Sequence, residues 1–236
     1  MTLAHPIRNV LSAIAPLLLA GSLAPTSALA ESAFKIPAPA ADVSAASDGL
    51  QTAVLAGGCF WGVQAVFQHS NGVVKAVSGY SGGSKATADY STVSAGRSTH
   101  AESVEIKFDP KKISYGKILQ IFFSVAHDPT QLNRQGPDSG AQYRSAIFYA
   151  DAEQRKVAEA YIAQLNAAGA YRAKIVTRVD KLDAFYPAED YHQDYATLHP
   201  MQPYIFINDR PKVENLKRMF ADIYRDKPVL VRSAGN

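Results

Sequence analysis

One cysteine and one tryptophan occur in the 236 residues, and they stand two positions apart in Gly57-Gly58-Cys59-Phe60-Trp61-Gly62. The two glycines permit a tight turn and leave backbone N–H groups uncovered, and Cys59 falls where a strand turns into a helix. Unpaired donors and the helix dipole at such a point favour an anion, so the spacing predicts a thiol titrating below the free value of about 8.5 and a nucleophile at Cys59. Burial as a small apolar residue is the commoner fate of a free thiol; the Gly-Gly lead-in and the neighbouring Trp weigh against it here. Phe60 and Trp61 would then wall a small apolar substrate group, such as a methyl on sulfur.

The other candidates flank two long polar loops, 79–99 and 127–142. His100-Ala101-Glu102 enters a strand, which points His100 and Glu102 to one face. An H-x-E triplet also occurs in zinc deaminases, but the P-C-x-x-C that completes their site is missing, so no metal is expected. Glu102 is the better candidate for a general acid, provided an apolar pocket raises its pKa. His100 reads as a hydrogen-bonded structural residue. In the second loop, turn chemistry alone accounts for many polar side chains. Tyr143 and Asp138 are kept as functional: a phenol can donate to an oxygen gaining negative charge, and a carboxylate can accept from a substrate backbone N–H.

These residues need a rigid frame. Short apolar strands are expected over 52–56, 73–78, 102–108 and 145–150, with helices over 60–69 and 114–126. That β-α-β-β-α-β order suggests an α+β fold, a ferredoxin-like two-layer sandwich with long functional loops. A helix over 151–168, an edge strand over 173–179 and a terminal helix over 211–224, opened by Pro211, form a C-terminal extension.

Composition sets the bounds. With 47% hydrophobic and 19% charged residues, the chain reads as globular, and a single thiol can supply neither an internal disulfide nor a cysteine-rich metal site. The net charge of +3 comes from Lys and Arg scattered among Asp and Glu, without a basic stripe, so nucleic acid is not an expected partner. Residues 1–30 hold Arg8 as their only charge, an apolar run over 10–20 and the ending Ala28-Leu29-Ala30, which reads as a signal peptide cleaved after Ala30. Pro16 and Pro25 interrupt what a membrane span would need, so no stable span is expected after cleavage. Residues 31–51, rich in Ala, Pro and Ser, read as a flexible segment, either lying over the domain or loose, ahead of a single catalytic domain over 52–236. A periplasmic or secreted location follows, where a lone thiol is a liability unless buried or used.

GGCFWG (Gly57–Gly62), GYSGG (Gly79–Gly83), HAE (His100–Glu102), HDP (His127–Pro129), QYRS (Gln142–Ser145) and AEDYHQ (Ala188–Gln193) occur in this order. Over about 52–199 the chain resembles the A-type methionine sulfoxide reductases, the peptide-methionine (S)-S-oxide reductases that restore oxidised Met. GGCFWG followed by HAE is the specific combination. The resemblance implies Cys59 as nucleophile, Phe60 and Trp61 as the methyl pocket, Glu102 as acid, Tyr90 and Tyr143 as oxygen-binding phenols and Asp138 as the carboxylate that orients substrate. It also implies reduction of the S epimer in oxidised proteins and peptides. Gln64 stands where the family often has Glu, and Thr99 where Gly is usual. Many members also carry one or two resolving cysteines, and this chain has none. The Cys59 sulfenic acid is therefore expected to be reduced by an external thiol, a thioredoxin-like donor or dithiothreitol in vitro, with no bound cofactor. Two rivals stand beside this reading: a cysteine hydrolase or acyltransferase pairing Cys59 with His100 or His192, and a secreted aromatic-pocket binding protein with an inert thiol.

Overall fold

Along β3 (Ala101–Phe108) the residues Glu102, Val104, Ile106 and Phe108 share one face, and in the computed structural model this strand lies in the middle of the sheet that carries the site. The structure describes Met1, residues 33–43 and residues 49–231. The signal peptide expected over 1–30 falls outside the described residues, Met1 apart.

The chain runs β1 (Gln51–Gly57), α1 (Phe60–Gln68), β2 (Val73–Ser81), α2 (Tyr90–Ser94), β3, α3 (Tyr115–Ile121), β4 (Arg134–Gln135), β5 (Asp138–Ser139), β6 (Ser145–Tyr149), α4 (Ala152–Ala167), β7 (Arg178–Lys181), β8 (Phe185–Pro187), α5 (Tyr195–Leu198) and α6 (Arg210–Met219). Six strands form one sheet in the order β7-β6-β1-β3-β2-β8, antiparallel except for the β6–β7 pair, and β4–β5 is a small separate ribbon. The mixed α/β class holds, but the sheet is wider than the four-stranded sandwich that was expected. The edge strand anticipated over 173–179 is Arg178–Lys181, and β8, three residues ending in Pro187, gave no sequence signal.

Alternation divides the core. Ala53 and Leu55 of β1, Val104 and Ile106 of β3 and Ile147 of β6 face the helices, where Phe60, Val66 and Phe67 of α1, Ile118 of α3 and Tyr161 of α4 pack on them. The opposite face holds only a small cluster around Val54, Ala146 and Phe148. Caps fix where the helices begin: Ser114 accepts from the Lys117 N–H at α3 and Asp151 from the Gln154 N–H at α4. Two helices depart from the expected spans. The one anticipated over 114–126 is α-helical to Ile121 and then widens into a π turn, Phe122–Ala126. The terminal helix stops at Met219 and is preceded by a second π turn, Ile205–Asp209.

The flexible segment expected over 31–51 is docked where it is described. Ile36 is buried in the core; its carbonyl accepts from Gln120 Nε2, and the Pro37 carbonyl accepts from the Tyr161 hydroxyl. Asp42 accepts from Ser114 Oγ and the Gly116 N–H, which pins residues 33–43 across α3 and α4.

Candidate active site

Strand β1 ends at Gly57, and Gly58 takes φ +89°, a left-handed conformation that suits glycine; a Cβ there would also lie 2.5 Å from the Gln135 side chain. This turn delivers Cys59 to the N-cap of α1 with 7% of its surface exposed. The Phe60 N–H, freed by its place in the first helical turn, donates to Glu102 Oε2 at 3.0 Å. The alternation that buries Val104 and Ile106 thus seats Glu102, itself buried, under the start of α1. Burial pushes its carboxyl up to about 8, with Asp138 and Asp209 adding to the rise against the pull of the Phe60 N–H. At neutral pH Glu102 therefore carries a proton, as the general-acid expectation required.

Cys59 departs from expectation. Burial, then the carboxylates of Glu102 and Asp209, push its thiol well above the free value, while the Trp61 backbone N–H and Lys212 pull the other way. The helix start does not outweigh desolvation, so the resting group is a thiol and not the thiolate that the sequence suggested. Protonation of Glu102 at neutral pH removes one of the opposing charges.

The aromatic wall is held from the C-terminal side. Trp61 stacks on Tyr195 at 4.0 Å between ring centroids and donates Nε1–H to His192 Nδ1 at 3.2 Å. The Phe60 ring lies 5.1 Å from that of His192 and 5.9 Å from that of Tyr80. Tyr90 opens α2, its ring 4.3 Å from His192. Glu189 fixes it there, accepting from the Tyr90 N–H and from the Tyr80 hydroxyl at 2.9 Å each. Tyr143 is set by Arg144, whose guanidinium donates to the carbonyls of Thr99, His100 and Ala141. Burial first, then the negative charge of Glu102, raises both phenols, so both stay protonated donors at neutral pH.

Asp138 is placed on β5, but its Oδ2 already accepts a short hydrogen bond from the Tyr204 hydroxyl, a residue that sequence reasoning missed. Tyr204 meets Trp61 edge-on at 6.1 Å. Also missed were Asp209 and Lys212, which reach the thiol from the C-terminal segment. No periodicity marks Tyr204, because it precedes the π turn; a lone Tyr after a Pro carries little signal. His100 takes no part with Glu102: its Nε2 pairs with the Ser84 carbonyl at 2.9 Å. His127, buried and held neutral by desolvation that lowers its pKa to about 3, pairs with Ser145 Oγ at 2.7 Å. A groove of about 700 Å³ reaches Cys59 past Gln135, Asp138, Tyr204 and Lys212.

Gln64, the departure from the expected Glu, is a buried hub. Its Nε2 donates to the Ala76 carbonyl and to Gln193 Oε1, and its Oε1 accepts from the Asp194 N–H. An amide satisfies donors and acceptors at once, which a carboxylate could not. It ties the AEDYHQ segment to α1, and so holds His192 against Trp61.

The thiol has a neutral carboxyl as its acidic neighbour, while His100 pairs through Nε2 with the Ser84 carbonyl and His192 through Nδ1 with Trp61, an arrangement that suits redox chemistry at sulfur better than acyl transfer. The chain belongs to the peptide methionine sulfoxide reductase family, whose family model matches residues 51–223. It is 60% identical over 191 residues to peptide methionine sulfoxide reductase MsrA 2 of Mesorhizobium japonicum, covering 81% of this chain and 98% of that one. To the MsrA 2 of a Synechocystis species it is 52% identical over 190 residues, 79% of this chain and 89% of the relative. Its fold resembles the reduced form of Mxr1 from Saccharomyces cerevisiae, with a TM-score of 0.60, 29% identity and coverage of 75% and 94%. Methionine sulfoxide reductase A of Corynebacterium diphtheriae gives 0.56, 34%, 68% and 80%. The protein is thus an oxidoreductase that reduces methionine sulfoxide, and the hydrolase reading has no support.

Proposed function

We propose that Cys59 attacks the sulfoxide sulfur of an oxidised Met in a protein or peptide while Glu102 gives its proton to the sulfoxide oxygen. The observation that carries this reading is the buried carboxyl of Glu102, raised to about 8 and joined to the Phe60 N–H next to the only thiol of the chain. Tyr90 and Tyr143 donate to the oxygen as it gains charge. Phe60 and Trp61 enclose the methyl group, and Asp138 orients the substrate backbone once Tyr204 releases it. The oxygen passes to Cys59 as a sulfenic acid, methionine leaves, and the Cys59 proton restores Glu102; one oxygen atom has moved and no proton is gained or lost. Assignment of the S epimer rests on the A-type family alone.

No second thiol can resolve the sulfenic acid within the chain. An outside thiol must attack it, form a mixed disulfide, release water and be displaced by a second thiol, which fits a thioredoxin-like dithiol donor. The leader-like residues 1–30 support a periplasmic or secreted location. Among the described residues no helix is long and apolar enough to cross a membrane.

Reacting the protein with a Met sulfoxide peptide in the absence of reductant tests the mechanism. One methionine released per enzyme, with a gain of one oxygen or a dimedone adduct at Cys59 by mass spectrometry, is the expected result. Release of more than one would require some other group to resolve the intermediate.

A further inference from the structure

The C-terminal segment brings a buried ion pair to the helix that carries the nucleophile. Asp209 is fully buried at the end of the π turn, with Oδ1 3.2 Å from Lys212 Nζ. It presses on Gly62, the third residue of α1: a Cβ there would lie 2.1 Å from Asp209 Oδ1 and 3.0 Å from Lys212 Nζ. Asp209 Oδ2 is buried and has no partner among the described residues. A half-satisfied buried carboxylate is costly to keep, and simple helix packing would be served better by an apolar side chain. Lys212, its side chain little exposed, lines the groove that opens on Cys59.

We propose that Asp209 and Lys212 are a positioning pair for the nucleophile: Asp209, wedged on Gly62, holds the Lys212 ammonium at the wall of the Cys59 groove, where it stabilises the negative charge that develops on Sγ as the thiol loses its proton. The proposal rests on Cys59 being the nucleophile. It gives the C-terminal extension a part in the chemistry beyond its support of Trp61. Other groups act on the same sulfur: Glu102 on β3, Tyr90 on α2, Tyr143 ahead of β6 and Tyr204 of the C-terminal segment. The three phenols stay neutral and Glu102 is protonated below about pH 8, which leaves Lys212 as the cation and Asp209 as the opposing charge near neutrality.

The pair makes opposite demands on two variants. In the full-length protein, iodoacetamide alkylation of the single thiol is followed against pH, a readout that needs no sulfoxide. Lys212→Met is expected to move the alkylation midpoint upward and slow labelling at pH 8 by roughly three- to tenfold, with Lys212→Arg within about twofold of wild type. Asp209→Asn keeps the side chain's size but removes the opposing charge and releases the ammonium together, so it should move the midpoint downward by clearly less in the wild type than in the Lys212→Met background, where only the charge is lost. Single-turnover reduction of a Met sulfoxide peptide should slow in Lys212→Met with peptide affinity unchanged. If Lys212→Met does not fold, Lys212→Gln takes its place in both measurements, with the same upward shift expected. An unmoved midpoint in the folded Lys212 variant, or an Asp209→Asn shift of equal size with and without Lys212, would overturn the proposal. A midpoint that responds as stated in a protein that fails to reduce the peptide would instead count against the reductase mechanism and leave the pair standing.

Discussion

Two regions meet at Cys59, and they are built on different principles. The first, residues 51–108, places Cys59 and Glu102, the proposed nucleophile and acid, by regular means: a strand that ends in Gly57, a glycine turn, a helix start and a strand whose alternation seats Glu102. The second, residues 185–219, contributes the Trp61 partners His192 and Tyr195, the Tyr204 hydroxyl and the Asp209–Lys212 pair through short helices, a three-residue strand and a π turn. Reactive atoms demand fixed distances, which a sheet supplies; a pocket wall and its charges tolerate an irregular support, provided each side chain is anchored. Anchoring is what Gln64 and Glu189 provide, each tying the second region to the first.

The division predicts effects of different size. Cys59→Ser should abolish sulfoxide reduction with an unchanged circular dichroism spectrum, since a hydroxyl keeps the volume and loses the nucleophilicity at neutral pH. Retained turnover would remove the first region from its role.

Glu102→Gln should lower the single-turnover rate by roughly 10² to 10⁴ with little change in peptide affinity. In the wild type the rate should fall as pH rises through about 8, where Glu102 loses its proton, and that limb should vanish in the variant. Stability sharpens the same point. The folded carboxyl titrates near 8 against an ordinary 4.5, so the native state keeps a proton that the unfolded chain releases. The wild type should therefore be fully stable, relative to Glu102→Gln, below pH 4.5 and lose roughly 2–4 kcal/mol by pH 8, as denaturant melts across that range would show.

Changes in the second region should act on binding more than on chemistry. Tyr195→Ala removes the ring stacked on Trp61, an interaction worth about 0.5–1.5 kcal/mol beyond area, and should raise KM about threefold to tenfold with kcat less affected. Tyr204→Phe frees Asp138 from its hydroxyl partner and should shift peptide affinity only severalfold, toward tighter binding, in a fluorescence titration of the Cys59→Ser protein. A loss of kcat as large as that of Glu102→Gln in either variant would erase the distinction between the regions.

Legibility in the sequence follows the same line. GGCFWG and the strand leading into Glu102 could be read because turn chemistry and period-2 burial act over a few residues. The raised thiol could not, because it comes from burial in the folded core and from the charges of Glu102 and Asp209, far along the chain. The π turn at Phe122–Ala126 breaks the 3.6-residue period inside the helix expected over 114–126, and the one at Ile205–Asp209 leaves no period by which to detect it. Whether the strap over 33–43 lies over the domain or is loose is not legible, because its docking uses isolated backbone carbonyls, one isoleucine and the single carboxylate of Asp42, which leave no pattern.

That strap also sets an order of assembly. Ile36 is made early in synthesis, yet the residue that holds its carbonyl comes 84 positions later, and the Tyr161 that holds Pro37 comes 124 positions later. The amino-terminal arm must therefore wait, unpaired, until α3 and α4 have emerged, and it closes over them as a late step. A shortened protein beginning at Gly49 would keep every residue assigned to catalysis but leave Gln120 and Tyr161 without these partners. Its weakness should show as early proteolysis along α3 and α4 rather than as a defect at the sulfur.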